Sequence, residues 1–212
     1  MYKLAVLFAA VAVSVSSQAA LISESVVGDF SNDPLAPTSI SFDVGTNGVI
    51  GSVTSINAIS DTRDFFTFTI GPDQLLTSID LISYTDGTID LQTGLPNPGN
   101  RGFVAIDEGT TSLIPTGGAN GNGGLGLLGG AHLEAGDDVS LTLSTPELVG
   151  PGFEFPLGAG DYTFLVQQTG QDFSDYYFTF EVSQVPLPAA AWLFISGLMG
   201  LFGLKRFRSQ KP

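Results

Sequence analysis

Three short segments of this 212-residue chain gather oxygen-bearing side chains of the kind that bind hard divalent cations. The first contains Asp29, Asn32 and Asp33, the second Asp61 and Asp64, and the third Glu134, Asp137 and Asp138. Calcium takes about six to eight oxygen ligands, which carboxylates and the backbone carbonyls of loops can supply. No segment has EF-hand spacing, so the spacing does not choose among them. Acidic turn residues also cap backbone amides and keep a surface soluble, and both interpretations stay open.

Residues that usually perform catalysis are scarce. The chain has no cysteine, its only histidine is His132, and no lysine lies between Lys3 and Lys205. Cysteine nucleophiles and thiolate metal sites are therefore excluded, and no internal lysine can form a Schiff base. No Gly-x-Ser-x-Gly elbow accompanies His132, and a lone histidine in a loop is usually solvated. We therefore expect no enzymatic activity and no cofactor apart from the calcium considered above.

The charge distribution excludes two classes of partner. All 21 acidic residues lie between Glu24 and Glu181, where Arg63 and Arg101 are the only basic residues, so this body has a net charge of −19. Binding of nucleic acid or of anionic lipid requires a basic surface that releases counterions. We therefore expect no nucleic-acid partner for the body.

Residues 1–20 have the organisation of a secretory signal peptide. Lys3 supplies the positive start, the stretch from Leu4 to Val15 is apolar apart from one serine, and Ser17-Gln18-Ala19 has the small-x-small pattern of a cleavage site. An apolar stretch of about 12 residues is shorter than the roughly 20 that span a bilayer. We therefore expect cleavage after Ala19 or Ala20 rather than a retained anchor.

The C-terminal end combines an apolar segment with a basic tail. Residues 185–204 contain no charged side chain, which is enough for a helix to cross a bilayer core of about 30 Å. The tail then carries four basic residues: Lys205, Arg206, Arg208 and Lys211. Such a cluster stops transfer and stays in the cytoplasm. We therefore expect a transmembrane helix over 189–204, a cytoplasmic tail over 205–212 and a body outside.

A short proline motif precedes this helix: Val185, Pro186, Leu187 and Pro188. Proline lacks an amide donor and disfavours helix in the preceding residue, so the motif should be an extended, accessible strand. Together, motif, helix and tail resemble the PEP-CTERM sorting signal that exosortase recognises in Gram-negative bacteria, with Leu187 at the position of the usual glutamate. The resemblance implies an exported protein, anchored transiently in the inner membrane and then sorted by an exosortase-type enzyme to the cell surface or beyond.

Between these ends, residues 21–184 read as one all-β domain. Short β-rich runs alternate with Gly, Pro, Asn and Asp, which is typical of a two-sheet sandwich. The predicted strands are Thr38–Val44, Val49–Val53, Asp64–Ile70, Leu76–Tyr84, Gly102–Asp107, Val139–Leu143, Asp161–Gln167 and Tyr176–Val182. The glycine-rich segment Thr116–Ala131 has no phosphate-loop lysine and is predicted to be a flexible surface insertion.

A period of two assigns the faces of three strands. The predicted core faces are Phe66, Phe68 and Ile70; Tyr162, Phe164 and Val166; and Tyr176, Phe178, Phe180 and Val182. The predicted water-facing residues of the last strand are Tyr177, Thr179 and Glu181. An aromatic stripe could instead stack against sugars, but phenylalanine dominates here, and its large apolar ring favours the core.

Four segments of the body also carry a family likeness: Gly28–Pro34, Arg63–Phe68, Gly160–Phe164 and Asp175–Phe178. In order and spacing they resemble the bacterial pre-peptidase C-terminal domain, which implies a jelly-roll-like β-sandwich over most of residues 24–184. We therefore expect a non-catalytic surface or extracellular-matrix protein. The alternative is a calcium-assisted module that binds exopolysaccharide. An exposed strip of Trp or Tyr beside a calcium site would favour the alternative, whereas aromatic side chains inside the sandwich would favour the first hypothesis.

Overall fold

The structure, a computed structural model, describes residues 20–54, 62–86, 102–112, 127–133, 138–146, 150–168, 173–185, 194 and 196–199. The strands are β1 (Leu21–Ser23), β2 (Thr38–Ser39), β3 (Gly45–Thr54), β4 (Arg63–Ile70), β5 (Gln74–Asp86), β6 (Gly102–Glu108), β7 (Leu127–Leu133), β8 (Gly160–Gln168) and β9 (Phe173–Gln184). Two short helices are α1 (Glu24–Val27) and α2 (Val139–Ser144). Residues 1–19, 186–188 and 205–212 lie outside the described residues, so the predicted signal peptide, prolines and basic tail are not described. No helix of the described part is long and apolar enough to cross a membrane.

The strands form two sheets, which confirms the all-β prediction. The four-stranded sheet has the order β1-β3-β9-β5, and the five-stranded sheet has the order β2-β4-β8-β6-β7. Long antiparallel strand pairs form the centre of each sheet. In the four-stranded sheet β3 pairs with β9, and in the five-stranded sheet β8 pairs with both β4 and β6. The short strands β1 and β2 add to β3 and β4 as parallel pairs.

The core lies between the sheets and is largely phenylalanine. All three predicted core faces are buried, including Phe66, Phe164, Phe178 and Phe180. The ring of Phe164 is 5.4 Å from that of Phe66 and 5.3 Å from that of Phe180, so rings of both sheets interlock across the middle. On the outer face of β9, the prediction is wrong for Thr179, which is 8% exposed and therefore buried.

The segment Val139–Leu143 is helix α2 rather than the predicted strand. Its apolar residues alternate as in a strand, but Val139 and Leu143 are also four residues apart and bury one face of a helix. Asp138 favours the helix because its side chain accepts a hydrogen bond from the Leu141 amide at 3.0 Å, as an N-cap does. The helix also covers an edge of β5, since the Ser140 hydroxyl lies 2.7 Å from the Ile79 amide nitrogen and 2.9 Å from its carbonyl oxygen.

Two further predictions are corrected. Of the predicted strand Thr38–Val44, only Thr38 and Ser39 pair, because the chain then leaves the five-stranded sheet to begin β3 in the other. The predicted flexible insertion Thr116–Ala131 is also wrong at its C-terminal end, because residues 127–131 belong to β7. Gly129 allows this packing because a Cβ there would collide with the Leu143 carbonyl of α2.

Strand glycines make room for tyrosines on both sheets. A Cβ at Gly48 would lie 3.0 Å from the ring of Tyr177, and one at Gly102 would lie 2.6 Å from the Tyr84 hydroxyl. Gly51 similarly accommodates Tyr176. In each pair the missing side chain of one strand is replaced by a ring from another.

Strand β5 is long, lies at the edge of its sheet and is irregular. Its pairing with β9 shifts register between Leu76 and Ser78 and again between Leu81 and Ser83. Each shift is a β-bulge, which adds a residue on one strand and increases the local twist. Ile82 lies at the second bulge and is exposed.

Candidate functional site

Three carboxylates meet near the beginning of β4. The ligand atoms of Glu24, Asp29 and Asp64 all lie within 4.8 Å of one another, and we call these residues the carboxylate cluster. Asp64 is buried, Glu24 is half-buried and Asp29 is exposed. The cluster therefore extends from the interior of the sandwich to solvent.

Glu24 is positioned by the end of strand β1. As the first residue of α1, it lies where β1 stops pairing with β3. One carboxylate oxygen accepts a hydrogen bond from the Ser52 amide at 2.8 Å, and the other accepts one from the Phe30 amide at 3.2 Å. The side chain thus replaces the missing strand partner at this point of β3 and also holds the loop that carries Asp29.

Asp64 lies on the core-facing side of β4, in the same row as Phe66 and Phe68. The Tyr176 hydroxyl of the opposite sheet donates a hydrogen bond to Asp64 Oδ2 at 2.7 Å. Gly51 makes this arrangement possible, because a Cβ there would collide with the Tyr176 hydroxyl and lie 2.9 Å from the carboxyl carbon of Glu24. The cluster thus depends on residues from both sheets.

Burial raises the pKa of the Glu24 carboxyl above its ordinary value. Hydrogen bonds from the Phe30 and Ser52 amides oppose this shift, while the nearby negative charge of Asp29 adds to it. A side-chain hydrogen bond with Asp64 also lowers the pKa of Glu24.

The cluster can relieve its charge in two ways. Glu24 and Asp64 can share a proton, as close carboxyl pairs do. Alternatively, a divalent cation can bind the three carboxylates, whose hard oxygens suit calcium. The donors suit such an ion, because Glu24 Oε1 accepts one amide hydrogen bond, from Phe30, and a carboxylate oxygen has two acceptor sites. The remaining contacts would come from water or backbone oxygens.

The structure joins members of two of the segments that the sequence singled out. Asp29 of the first segment meets Asp64 of the second. Asp33 is not in the cluster, and its Oδ1 accepts the Leu35 amide at 2.9 Å, as a turn residue does. Asn32 is exposed in the same loop. Asp61, Glu134 and Asp137 lie outside the described residues, and Asp138 caps α2.

Sequence reasoning missed Glu24, although one signal pointed to this region. Counting back by two from Ile70 through Phe68 and Phe66 places Asp64 on the core face, and an acid there must be paired, protonated or bound to a cation. No comparable pattern marks Glu24, which precedes β3 by more than twenty residues. Its role depends on where β1 ends.

His132 is not the solvated loop residue that the sequence predicted. It lies on β7, opposite Phe103 in the register, and its ring meets that of Phe103 edge to face at 5.8 Å. Its Nδ1 is buried and has no hydrogen-bond partner. The histidine is thus part of the sheet surface, and no described carboxylate bonds to this nitrogen.

Comparisons with known proteins add no family to this description. No protein-family model matches the chain, and no curated protein is significantly similar to it.

Proposed function

We propose that the protein is a non-catalytic, exported component of the cell surface or extracellular matrix. The observation that supports this proposal is the position of the aromatic side chains: the rings on the predicted core faces fill the interior. Among the described residues, Tyr177 is half-buried against Gly48, and no row of exposed Tyr lies beside the carboxylate cluster. A rigid sandwich with a strongly acidic surface suits a spacer or matrix subunit.

Export and sorting belong to the same proposal and rest on the two ends of the sequence. The signal peptide over residues 1–20 directs export, and the segment 185–212 acts as the PEP-CTERM-like signal for an exosortase-type enzyme. The body between them is the exported part, with the jelly-roll-like arrangement that its family likeness implies. The inner membrane holds the precursor through the helix at 189–204 until sorting occurs.

Replacing both Pro186 and Pro188 by alanine is expected to block sorting. Alanine restores amide donors and favours helix, so the apolar helix would extend upstream and hide the recognition strand. The unprocessed protein should then accumulate in the inner membrane of the native host, as measured by fractionation and intact mass. Pro151→Ala, an exposed proline in the body, is the matched control and should be processed normally. Release of the double variant at the wild-type rate would show that these prolines are not a sorting motif.

A second candidate function is calcium-assisted binding of exopolysaccharide, and one specific observation favours its calcium component. Asp29 and Asp64, predicted as ligands in separate segments, lie together with Glu24. The sandwich would then use calcium to hold its N-terminal loop to β4. This candidate differs from the first in requiring a specific ion.

Calcium at a hundred times its Kd is expected to stabilise the full-length protein by about 2.7 kcal/mol if the carboxylate cluster is a calcium site. The measurement is calorimetric unfolding at constant ionic strength, because the net charge of the body attracts cations diffusely. Magnesium should substitute poorly, since it requires a tighter octahedral shell.

Two variants distinguish specific calcium binding at the carboxylate cluster from general screening of the negative charge. Asp29→Asn removes an exposed member of the cluster and should abolish the calcium effect, whereas Asp33→Asn alters a neighbouring exposed acid and should keep it. If calcium stabilises both variants equally, or leaves the wild type unchanged, the carboxylate cluster is not a calcium site and the first function stands alone.

A further inference from the structure

The outward face of the five-stranded sheet carries a second buried acid, Asp107. This residue is on β6, between Thr163 of β8 and Leu127 of β7 in the register. Asp107 is 1% exposed although it points away from the core between the sheets. A small apolar cluster lies on the same face: Phe65, Ala105, Leu127 and Leu165. Something must therefore cover this part of the outward face.

Residues 109–112 provide part of this cover, and we call them the strap. The strap leaves β6 at Gly109, whose amide donates to the Asp161 carbonyl at 2.7 Å and whose carbonyl accepts the Thr163 hydroxyl at 2.9 Å. It ends at Ser112, whose amide donates to the carbonyl of Pro34 at 2.8 Å. Pro34 precedes the edge strand β2, so the strap crosses the sheet from β6 towards the opposite edge.

A hydrogen bond joins the end of the strap to Asp107 on the sheet beneath it. The Ser112 hydroxyl donates a hydrogen bond to Asp107 Oδ2 at 2.6 Å. The other oxygen, Oδ1, is buried and accepts no hydrogen bond. In the neutral form Oδ2 carries the proton and can donate it to the Ser112 hydroxyl across the same contact, which leaves Oδ1 as a carbonyl oxygen that loses little by being unpaired. An ionised carboxylate must instead recover solvation for Oδ1. Water can reach it only if the cover above Asp107 moves.

We propose that the strap is a proton-controlled latch, closed while the Asp107 carboxyl is neutral and loosened when this carboxyl ionises. Loosening breaks the Ser112 contact, admits water to Asp107 and uncovers Thr163 beside the apolar cluster. The direction agrees with the electrostatics, because burial raises the pKa of Asp107 and the hydrogen bond from Ser112 opposes this shift only in part.

The charged neighbours do not supply a competing switch. On β6, Glu108 is exposed and is one residue further along, so it points to the other face of the sheet. On β8, Asp161 shares the outward face but is exposed and accepts the Thr69 hydroxyl. On β4 and β7, Arg63 and His132 lie at the Phe103 end of this face, four residues along β6 from Asp107. Before β2, the carboxylate of Asp33 caps its own turn, and residues 113–126 after the strap contain no titratable side chain.

The sign of the pH dependence follows from the raised pKa. A closed state that binds the Asp107 proton more tightly is fully favoured below the ordinary pKa of the open state. That preference is lost as the pH rises through the higher pKa of the closed state. Between the pKa of Asp107 in the open state and its higher pKa in the closed state, the ratio of closed to open populations should fall by up to about tenfold for each pH unit.

Hydrogen exchange of the full-length protein tests the latch. The Ser112 amide donates to the Pro34 carbonyl in the closed strap, so its protection factor, corrected for intrinsic exchange, reports closure. This factor should fall from pH 4 to pH 8, by about tenfold for each unit by which the closed state raises the pKa of Asp107, while amides in the β3–β9 ladder change much less. Asp107→Asn cannot ionise and should remove the pH dependence, and Ser112→Ala should lower the protection of Gly109 at every pH.

Asp161→Asn is the matched control, because it removes an exposed acid from the same face and leaves Asp107 in place. This variant should keep the wild-type pH dependence. A wild-type strap with the same protection at pH 4 and pH 8 overturns the proposal. An Asp107→Asn strap that still follows pH as the wild type does overturns it as well.

Discussion

Phe178→Ala should lower the free energy of unfolding by about 3 to 5 kcal/mol. The ring is fully buried and lies 5.4 Å from those of Phe164 and Tyr176, so its removal leaves a cavity between the sheets. A typical domain is stable by about 5 to 15 kcal/mol, and the variant would therefore be close to unfolding. Urea titration followed by circular dichroism measures the change.

Tyr177→Ala is the matched control for Phe178, because it changes the adjacent residue of β9 on the opposite face. Tyr177 is half-buried against Gly48, and the loss should be clearly smaller, on the order of 1 kcal/mol. Equal losses for the two variants would mean that the assignment of the faces of β9 is wrong.

Gly51→Ala should lower the free energy of unfolding by about 2 to 3 kcal/mol. The new methyl group would collide with the Tyr176 hydroxyl and press on the Glu24 carboxyl group, so the hydrogen bond from Tyr176 to Asp64 must shift. The same substitution at Gly158 meets no atom within 4 Å and should change stability little. Urea titration of the full-length protein measures both variants. If Gly51 tolerates alanine as well as Gly158 does, the carboxylate cluster is not closely packed.

Much of the fold follows from alternation along the chain. The runs around Phe66, Phe164 and Phe178 are predictable because a strand buried on one face repeats its apolar residues every second position. The same rule fails for the run at Val139, because a five-residue pattern fits one helical turn as well as a strand. The N-cap Asp138 favours the helix there. Strand β7 is not predicted from the sequence, because Gly129 and Gly130 are typical of a loop. In the structure, the close approach of α2 requires a small residue at Gly129.

The candidate site was predictable only in part. Asp29 and Asp64 stand out because acids in turns and at the end of an apolar stripe suggest ligands or capping groups. Their partner Glu24 comes from the segment after β1. No local pattern predicts that its carboxylate will accept the hydrogen bond of the Ser52 amide in place of a neighbouring strand. Long-range pairing decides such contacts, and a single sequence does not reveal which strands will be neighbours.

The irregular strand β5 bears on whether copies of the protein aggregate at high concentration. An edge strand of 13 residues would ordinarily be a template for another chain, and stacked edges of this kind lead to fibrous aggregates. Here Leu157 pairs with Leu76, Ser140 bonds to the backbone of Ile79, and the bulge at Ile82 follows directly. Regular edge-to-edge growth is interrupted every few residues, so concentrated copies can remain separate molecules.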